Sequence, residues 1–118
     1  MALPPAAPPL PSSPAALQGV RVIEMGQLIA GPFCGKTLGE FGADVIKIEA
    51  PETGDPLRNW RLIKEGTSVW WQVQSRNKRS VALDLRQKEG QDIARQLIAE
   101  ADVLVENLRP GTLEGWGM

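Results

Sequence analysis

Two apolar runs, residues 20–25 and 43–49, flank a stretch with helical periodicity. Each run is largely apolar at successive positions, which is typical of a strand buried on both faces of a parallel sheet. Pro32 suits the first turn of the intervening helix and Gly42 suits its end. One face of this helix is predicted to pack on the sheet: Phe33, Cys34, Thr37, Leu38 and Phe41. The pattern predicts a right-handed β-α-β unit.

The alternation of strand and helix continues along the chain. Residues 80–85 and 102–107 are two further strand candidates, and residues 87–101 between them carry an apolar stripe with helical spacing. Residues 51–66 are rich in proline and glycine and are predicted to form a long surface loop. Periodicity does not decide the secondary structure of residues 67–73, which we interpret as a helix. The whole pattern predicts a doubly wound, mostly parallel α/β sheet with flanking helices.

The two ends of the chain differ from its middle. Residues 1–17 contain no charged side chain and many prolines, so we expect a disordered tail. Residues 18–118 are then the folded part. Because a new helix is predicted to start just after Pro110 and Gly111, we expect the sequence to be a truncated part of a larger domain.

Charge and composition exclude several kinds of partner. The formal net charge is -1 with both signs mixed, which argues against nucleic acid and against electrostatic attachment to a membrane. No apolar run reaches the about 20 residues of a membrane span. One cysteine and no histidine argue against a disulfide and a zinc site. We interpret Cys34 as a core thiol, in keeping with a reducing, cytoplasmic compartment.

Two stretches are candidates for binding chemistry. The loop at residues 26–31 and Arg86 follow predicted strands at their carboxyl ends, where anions bind in open parallel sheets. Arg76, Lys78 and Arg79 form a basic cluster that is either solvated or part of a phosphate site. The Trp70–Trp71 pair either stacks on a flat ligand ring or, as we prefer, forms a hydrophobic plug or subunit contact. Neither the dinucleotide-binding glycine motif nor a P-loop is present.

Six blocks of sequence occur in an order that resembles one family. They are LQGVRVIE, QLIAGPF, LGEFGADVIKIE, GDPLR, NKRSVALDL and ADVLVENLRPG. Over residues 17–118 the chain resembles the class III CoA-transferases, which include formyl-CoA and carnitine CoA-transferases. The resemblance implies the N-terminal part of a Rossmann-like large domain, an interlocked homodimer and coenzyme A as a substrate, with no permanently bound cofactor and no metal.

The resemblance also implies a set of residues that line the CoA site across the strand ends. Ala50 and Gly115 depart from the family pattern, since some members have an arginine for CoA at these positions. Arg86 matches a basic residue near the nucleotide end, where it suits a phosphate. The positions carried over are Ile29, Ala30, Leu83, Asp84, Leu85, Arg86, Asn107, Leu108 and Arg109.

The chemistry implied by the family is nucleophilic. An aspartate attacks the acyl-CoA thioester to form a mixed anhydride, the CoA thiolate returns to form an enzyme thioester, and the acceptor acid completes the exchange. That aspartate is expected beyond residue 118, so these residues contain no catalytic group and are expected to be inactive alone. Two alternatives stay open: an acyl-CoA racemase of the same family, and a non-catalytic CoA- or nucleotide-binding module. The acyl donor and acceptor do not follow from these residues.

Overall fold

The computed structural model describes residues 13–118, which form a four-stranded parallel sheet flanked by helices. The chain also contains a two-stranded antiparallel hairpin and a 3-10 turn at Pro56–Asn59. In chain order the elements are β1 (Arg21–Glu24), α1 (Ala30–Glu40), β2 (Asp44–Glu49), β3 (Ile63–Lys64), β4 (Thr67–Ser68), α2 (Val69–Gln74), β5 (Lys78–Ala82), α3 (Lys88–Ala99), β6 (Val103–Val105) and α4 (Thr112–Gly115).

The strand order in the sheet is β5-β2-β1-β6, and all three pairings are parallel. Val22 lies in register with Val45 on one side and with Val103 on the other. This confirms the predicted α/β fold with a mostly parallel sheet. Because the strands are parallel, their carboxyl ends and the loops that follow them all lie at one edge, which we call the carboxyl edge.

Two apolar clusters pack on the sheet. The first is built around Val22, Ala43, Val45 and Val105, with Leu38 of α1 against it. The second contains Ile23, Met25, Ile48 and Ala94 and receives Leu97 and Ile98 of α3, with Ala101 just after the helix. The predicted α3 stripe is therefore confirmed, except that Ile93 is half-exposed. Alternating strand residues supply both clusters because successive side chains point to opposite faces.

The face of α1 that meets the sheet is not the predicted one. Phe33 and Phe41 are 52% and 57% exposed, and Cys34 is also exposed. The buried residues of the helix are Gly31, Pro32 and Gly35. The prediction was wrong for Phe33, Cys34 and Phe41, whereas Leu38 packs on the sheet as predicted. The interpretation of Cys34 as a core thiol was also wrong. The physical reason is that a bulky charged side chain of β1 lies beneath the helix, and only glycine leaves room for it.

The predicted loop at residues 51–66 contains more structure than expected. It holds the 3-10 turn, whose Leu57 is fully buried, and the β3–β4 hairpin. Glu65 and Gly66 connect these strands with positive φ angles of 51° and 78°, as a tight hairpin turn requires. The helix expected at residues 67–73 is confirmed only from residue 69, as α2, because Thr67 and Ser68 form β4. The Ser68 hydroxyl caps α2 by accepting from the Trp71 amide.

The remaining boundaries shift by a few residues. The strand predicted at residues 80–85 is β5, Lys78–Ala82, and the helix predicted at residues 87–101 is α3. Residues 1–12 of the predicted tail lie outside the described residues. Ala15 and Leu17 are described: the Ala15 carbonyl accepts from Gln18 and the Leu17 amide donates to Phe41. Within residues 13–118, every helix is too short or too polar to cross a membrane.

Candidate functional site

A cavity of about 470 Å³ opens at the carboxyl edge of the sheet. Its position follows from the topology, since the loops after parallel strands diverge there and leave a crevice. Its walls come from the carboxyl end of β2, from the loops after β1, β2, β5 and β6, and from Trp116. The lining residues are Met25, Gln27, Ile48, Glu49, Ala50, Pro51, Glu52, Thr53, Leu83, Asp84, Leu85, Arg86, Leu108 and Trp116.

Several of the residues predicted for the CoA site lie at this cavity. Residues 83–86 form one wall and Leu108 contributes to another, whereas Arg109 lines a neighbouring cavity of about 240 Å³. Ile29 and Ala30 are exposed at the start of α1 and do not line the cavity. Asn107 does not line it either, but binds the backbone of Gln27, which does. The CoA-binding role of all nine positions stays a prediction.

Arg86 is bound to Asp84 through two parallel contacts. Its Nε and Nη2 atoms lie 2.8 and 3.0 Å from the two carboxylate oxygens, and its backbone N–H donates to the same side chain. These hydrogen bonds lower the pKa of the Asp84 carboxyl below its ordinary value. The Arg86 side chain is 84% exposed, so this ion pair contributes little to stability.

The basic cluster near β5 is already paired with acids. Arg76 lies 2.6 Å from Glu40, and Arg79 lies 2.6 Å from Asp44. Lys78 is in register with Val45, near the amino end of β2. The cluster therefore lies at the opposite end of the strand from the cavity. Of the two alternatives left open for the cluster, a phosphate site at the carboxyl edge is contradicted, because the strand direction places these residues at the opposite end of β5.

Four charged side chains form a cluster in the interior that the sequence patterns did not indicate. Lys47 Nζ lies 2.8 Å from Glu24 Oε1 and 2.8 Å from Asp55 Oδ2, and Lys78 Nζ lies 2.7 Å from Glu24 Oε2. We call Glu24, Lys47, Asp55 and Lys78 the buried charge network. Its side chains are between 0 and 3% exposed. Two acids balance two lysines, so the network is neutral. The signal in the sequence that could have indicated this network was the presence of charged residues within otherwise apolar strands.

The network also binds the loop between β1 and α1. Lys47 donates to the carbonyl oxygen of Gly26 at 2.8 Å. Asp55 Oδ1 accepts from the amides of Leu28 and Leu57 at 3.0 and 2.8 Å. Leu28 has a φ angle of 60°, in the left-handed region that a leucine rarely adopts. The loop therefore keeps an unfavourable backbone conformation through charge-assisted hydrogen bonds from below.

Lys78 anchors the end of this loop at the start of α1. Its ammonium group donates to the carbonyl oxygen of Pro32 at 2.7 Å as well as contacting Glu24. Burial lowers the pKa of Lys78 below its ordinary value, although Glu24 acts in the opposite direction. The loop is thus tied to β2, β5 and the segment after β2 at the same time.

From the solvent side the same loop is held by Asn107. Its Oδ1 accepts from the Gln27 amide at 2.7 Å, and its Nδ2 donates to the Gln27 carbonyl oxygen at 3.1 Å. Gly26 and Gly31 meet beneath this contact, and a Cβ added to Gly26 would lie 2.6 Å from the Gly31 Cα. Side chains at these two glycines would separate the ends of the loop.

Glu49, at the carboxyl end of β2, is fully hydrogen-bonded. Arg58 donates from Nε and Nη2 at 2.7 and 2.8 Å, Ser80 Oγ donates at 2.7 Å, and the Asp55 amide donates at 2.8 Å. Burial opposes ionisation of Glu49, but these hydrogen bonds outweigh it and lower its pKa from 4.5 to about 2. Glu49 is therefore a permanently charged structural anion rather than a proton donor at neutral pH.

The tryptophans pack around this part of the molecule. The Arg58 guanidinium lies 3.9 Å from the ring centroid of Trp71, and the Trp60 and Trp70 rings meet edge-on at 5.6 Å. Both rings of the Trp70–Trp71 pair thus have protein partners. The described residues contain no group of three or more histidine, cysteine, aspartate or glutamate residues able to hold a metal ion.

Solved structures share this arrangement of elements. A CAIB/BAIF family protein from Brucella suis superposes with a TM-score of 0.81 at 40% sequence identity, covering 90% of this chain and 29% of that chain. The protein Rv3272 from Mycobacterium tuberculosis gives a TM-score of 0.79 at 37% identity, covering 87% of this chain and 28% of that chain. Both similarities extend over nearly all the described residues.

Curated relatives are CoA-transferases. The succinyl-CoA–D-citramalate CoA-transferase of Chloroflexus aurantiacus is 51% identical over 106 residues, which is 89% of this chain and 26% of that protein. The human succinyl-CoA:glutarate CoA-transferase is 40% identical over 103 residues, which is 86% of this chain and 24% of that protein. The chain therefore spans about a quarter of the length of these relatives.

The family model for CoA-transferase family III matches residues 17–118. This match includes all of β1–β6 and the four loops that form the cavity, and it agrees with the relatives and the solved structures. The chain belongs to CoA-transferase family III.

Proposed function

We propose that the full-length protein transfers CoA between an acyl-CoA thioester and a small carboxylic acid, and that the described residues supply one part of the CoA site. The observation that carries this proposal is the cavity at the carboxyl edge, since residues 83–86 and Leu108 line it. These are positions that the family resemblance assigns to CoA.

The walls of the cavity suit the different parts of CoA. Met25, Ile48 and Leu85 offer apolar surface for the less polar part of the ligand. Arg86 supplies an exposed guanidinium at the rim, where it exchanges Asp84 for a phosphate oxygen. Gln27, whose backbone is held by Asn107, lines the cavity. Ile29 and Ala30 lie at the first turn of α1, beside the CoA chain.

The covalent step belongs to the rest of the protein in this proposal. An aspartate outside these residues attacks the thioester carbonyl, and the resulting acyl-enzyme intermediate is resolved by the returning CoA thiolate and the acceptor acid. The interlocked homodimer and a cytoplasmic location are part of the same proposal. Because several relatives bear names that begin with succinyl-CoA, succinyl-CoA is the first donor to test.

A direct assay tests this function. The full-length protein is incubated with succinyl-CoA and a set of free dicarboxylic acids, and the exchange of CoA esters is followed by chromatography. We expect transfer to at least one acid, and a mass increase on one aspartate when the acceptor is left out. Inversion of a 2-methylacyl-CoA without ester exchange would favour the racemase, and CoA binding without either reaction would favour the binding module. Residues 1–118 alone are expected to show no turnover, because the nucleophile is absent.

A further inference from the structure

The loop at residues 26–31 is held from beneath by the buried charge network. Two charged side chains reach its backbone, since Lys47 binds the Gly26 carbonyl and Asp55 binds the Leu28 amide. A third, Lys78, binds the Pro32 carbonyl in the first turn of α1, directly after the loop. These three side chains come from β2, the segment after β2 and β5. The position of the loop therefore depends on the sheet beneath it as well as on Asn107 and on the loop's own glycines.

Stability of the fold does not by itself explain this network. Removing four charges from water is costly, and well-packed apolar residues of the same volume often serve stability equally well or better. The cost is offset here by the ion pairs and by hydrogen bonds to backbone groups of the loop. What the charged network supplies, and apolar side chains could not, is a set of directional bonds to the backbone of that loop.

The loop conformation needs such bonds. Leu28 is held with a φ angle of 60°, and such residues persist where the surrounding structure over-determines them. Immediately before it, Met25 and Gln27 line the cavity at the carboxyl edge. If the bonds to Gly26 and Leu28 were lost, the loop would relax and Gln27 would move. The shape of the cavity wall therefore depends on side chains that the ligand never touches.

We propose that Lys47 and Asp55 are positioning residues for the CoA thioester: through the buried charge network they hold residues 26–31 in the conformation that forms one wall of the CoA site. This inference rests on the proposed function. Neither side chain contacts the ligand, because both are almost fully buried beneath the loop.

The experiment compares variants of the full-length protein. Lys47→Met keeps the length of the side chain but removes its bond to Gly26. Asp55→Asn keeps an oxygen able to accept from Leu28 and Leu57, whereas Asp55→Ala keeps none. Val45→Ala is the matched control, because it weakens the core in the same strand, two residues from Lys47, without touching the loop. CoA affinity is measured by calorimetry. KM and kcat are measured with the acyl-CoA as substrate, and amide hydrogen exchange is measured by mass spectrometry.

We expect Lys47→Met and Asp55→Ala to weaken CoA binding and raise KM by about tenfold, the effect of losing one charge-assisted hydrogen bond. Amide exchange should accelerate at residues 26–31 and stay slow in α3. Asp55→Asn should lie between Asp55→Ala and the wild type. Val45→Ala should lower the melting temperature with little change in CoA affinity. Asp55→Asn also serves as the readout if Lys47→Met does not fold.

Two results would overturn the inference in different ways. If Asp55→Asn and Asp55→Ala lose stability but bind CoA as tightly as Val45→Ala does, with unchanged exchange at residues 26–31, the network is only structural. If the wild type itself fails to bind CoA, the proposed function fails and this inference fails with it. The calorimetry of the wild type separates these two cases before any variant is examined.

Discussion

Gly35 lies directly against the buried carboxylate of Glu24. A Cβ added to Gly35 would stand 1.9 Å from Glu24 Oε2, a distance that no real contact reaches. The helix α1 approaches the sheet this closely because its facing residue has no side chain. The same carboxylate receives both lysines of the buried charge network, so the space at Gly35 is a condition for that network.

We therefore predict that Gly35→Ala destabilises the full-length protein by at least about 2 kcal/mol, since the methyl group displaces Glu24 from its lysines or forces α1 away. The free energy of unfolding is compared by urea denaturation. Gly115→Ala is the control, because a Cβ there meets nothing within 4 Å and alanine favours a helix. Equal stability of the two variants would show that α1 can move without cost.

Arg86 provides a second prediction, on ligand binding. Arg86→Ala should weaken CoA binding by about threefold to tenfold at low salt and by less at high salt, because an exposed ion pair is screened by ions. Calorimetric titration with CoA at two salt concentrations measures this difference. Arg21→Ala removes the same charge at the opposite edge of the sheet, where Arg21 pairs with Glu100, and should leave CoA affinity unchanged. Unaltered affinity of Arg86→Ala at low salt would remove Arg86 from the site.

Glu49 provides a prediction on pH dependence. Its pKa in the folded protein is about 2, below the ordinary 4.5, so its stabilising contribution is complete above pH 4.5 and is lost as the pH falls towards 2. The difference between these two pKa values corresponds to about 3 kcal/mol in the free energy of unfolding. Urea midpoints of the wild type and Glu49→Gln are compared at pH 7 and pH 3. We expect the difference between the urea midpoints of the wild type and Glu49→Gln to be smaller at pH 3 than at pH 7. An equal difference at both pH values would contradict the strong binding of Glu49 by Arg58.

Asn107 provides a prediction on the outer side of the loop. Asn107→Ala removes both hydrogen bonds to the Gln27 backbone, and we expect CoA affinity to fall by up to about tenfold as the loop loses order. Asn59→Ala is the control, since Asn59 is exposed and does not line the cavity. The melting temperature should hardly change in either variant. A loss of several degrees with unchanged CoA affinity would mean that Asn107 serves stability alone.

The local elements of this protein could be predicted well from the sequence. Alternating apolar runs and a stripe of helical spacing locate β1, β2, α1 and α3 because burial on one or both faces imposes those periods. The α/β fold then follows from the order of the elements, and so does a cavity at the carboxyl edge. The six sequence blocks pointed to the family that the family model confirms.

Periodicity failed where partners far apart in the sequence decide the outcome. It placed Phe33 and Cys34 of α1 against the sheet, since it counts only apolar residues and cannot see that Glu24 requires a glycine opposite. It gave no sign that Lys47 is buried among opposite charges, and it grouped Lys78 with a basic cluster that was either solvated or part of a phosphate site.

The sequence by itself determined the strands of the parallel sheet, the helices between them and the family of this protein, because each depends on patterns within a short window or on contiguous motifs. Only the tertiary structure decided which charges are buried together. Glu24 and Lys47 are 23 residues apart, and Leu28 and Asp55 are 27 apart. Their contacts exist because parallel pairing brings β1, β2 and β5 side by side, and no local propensity encodes that proximity.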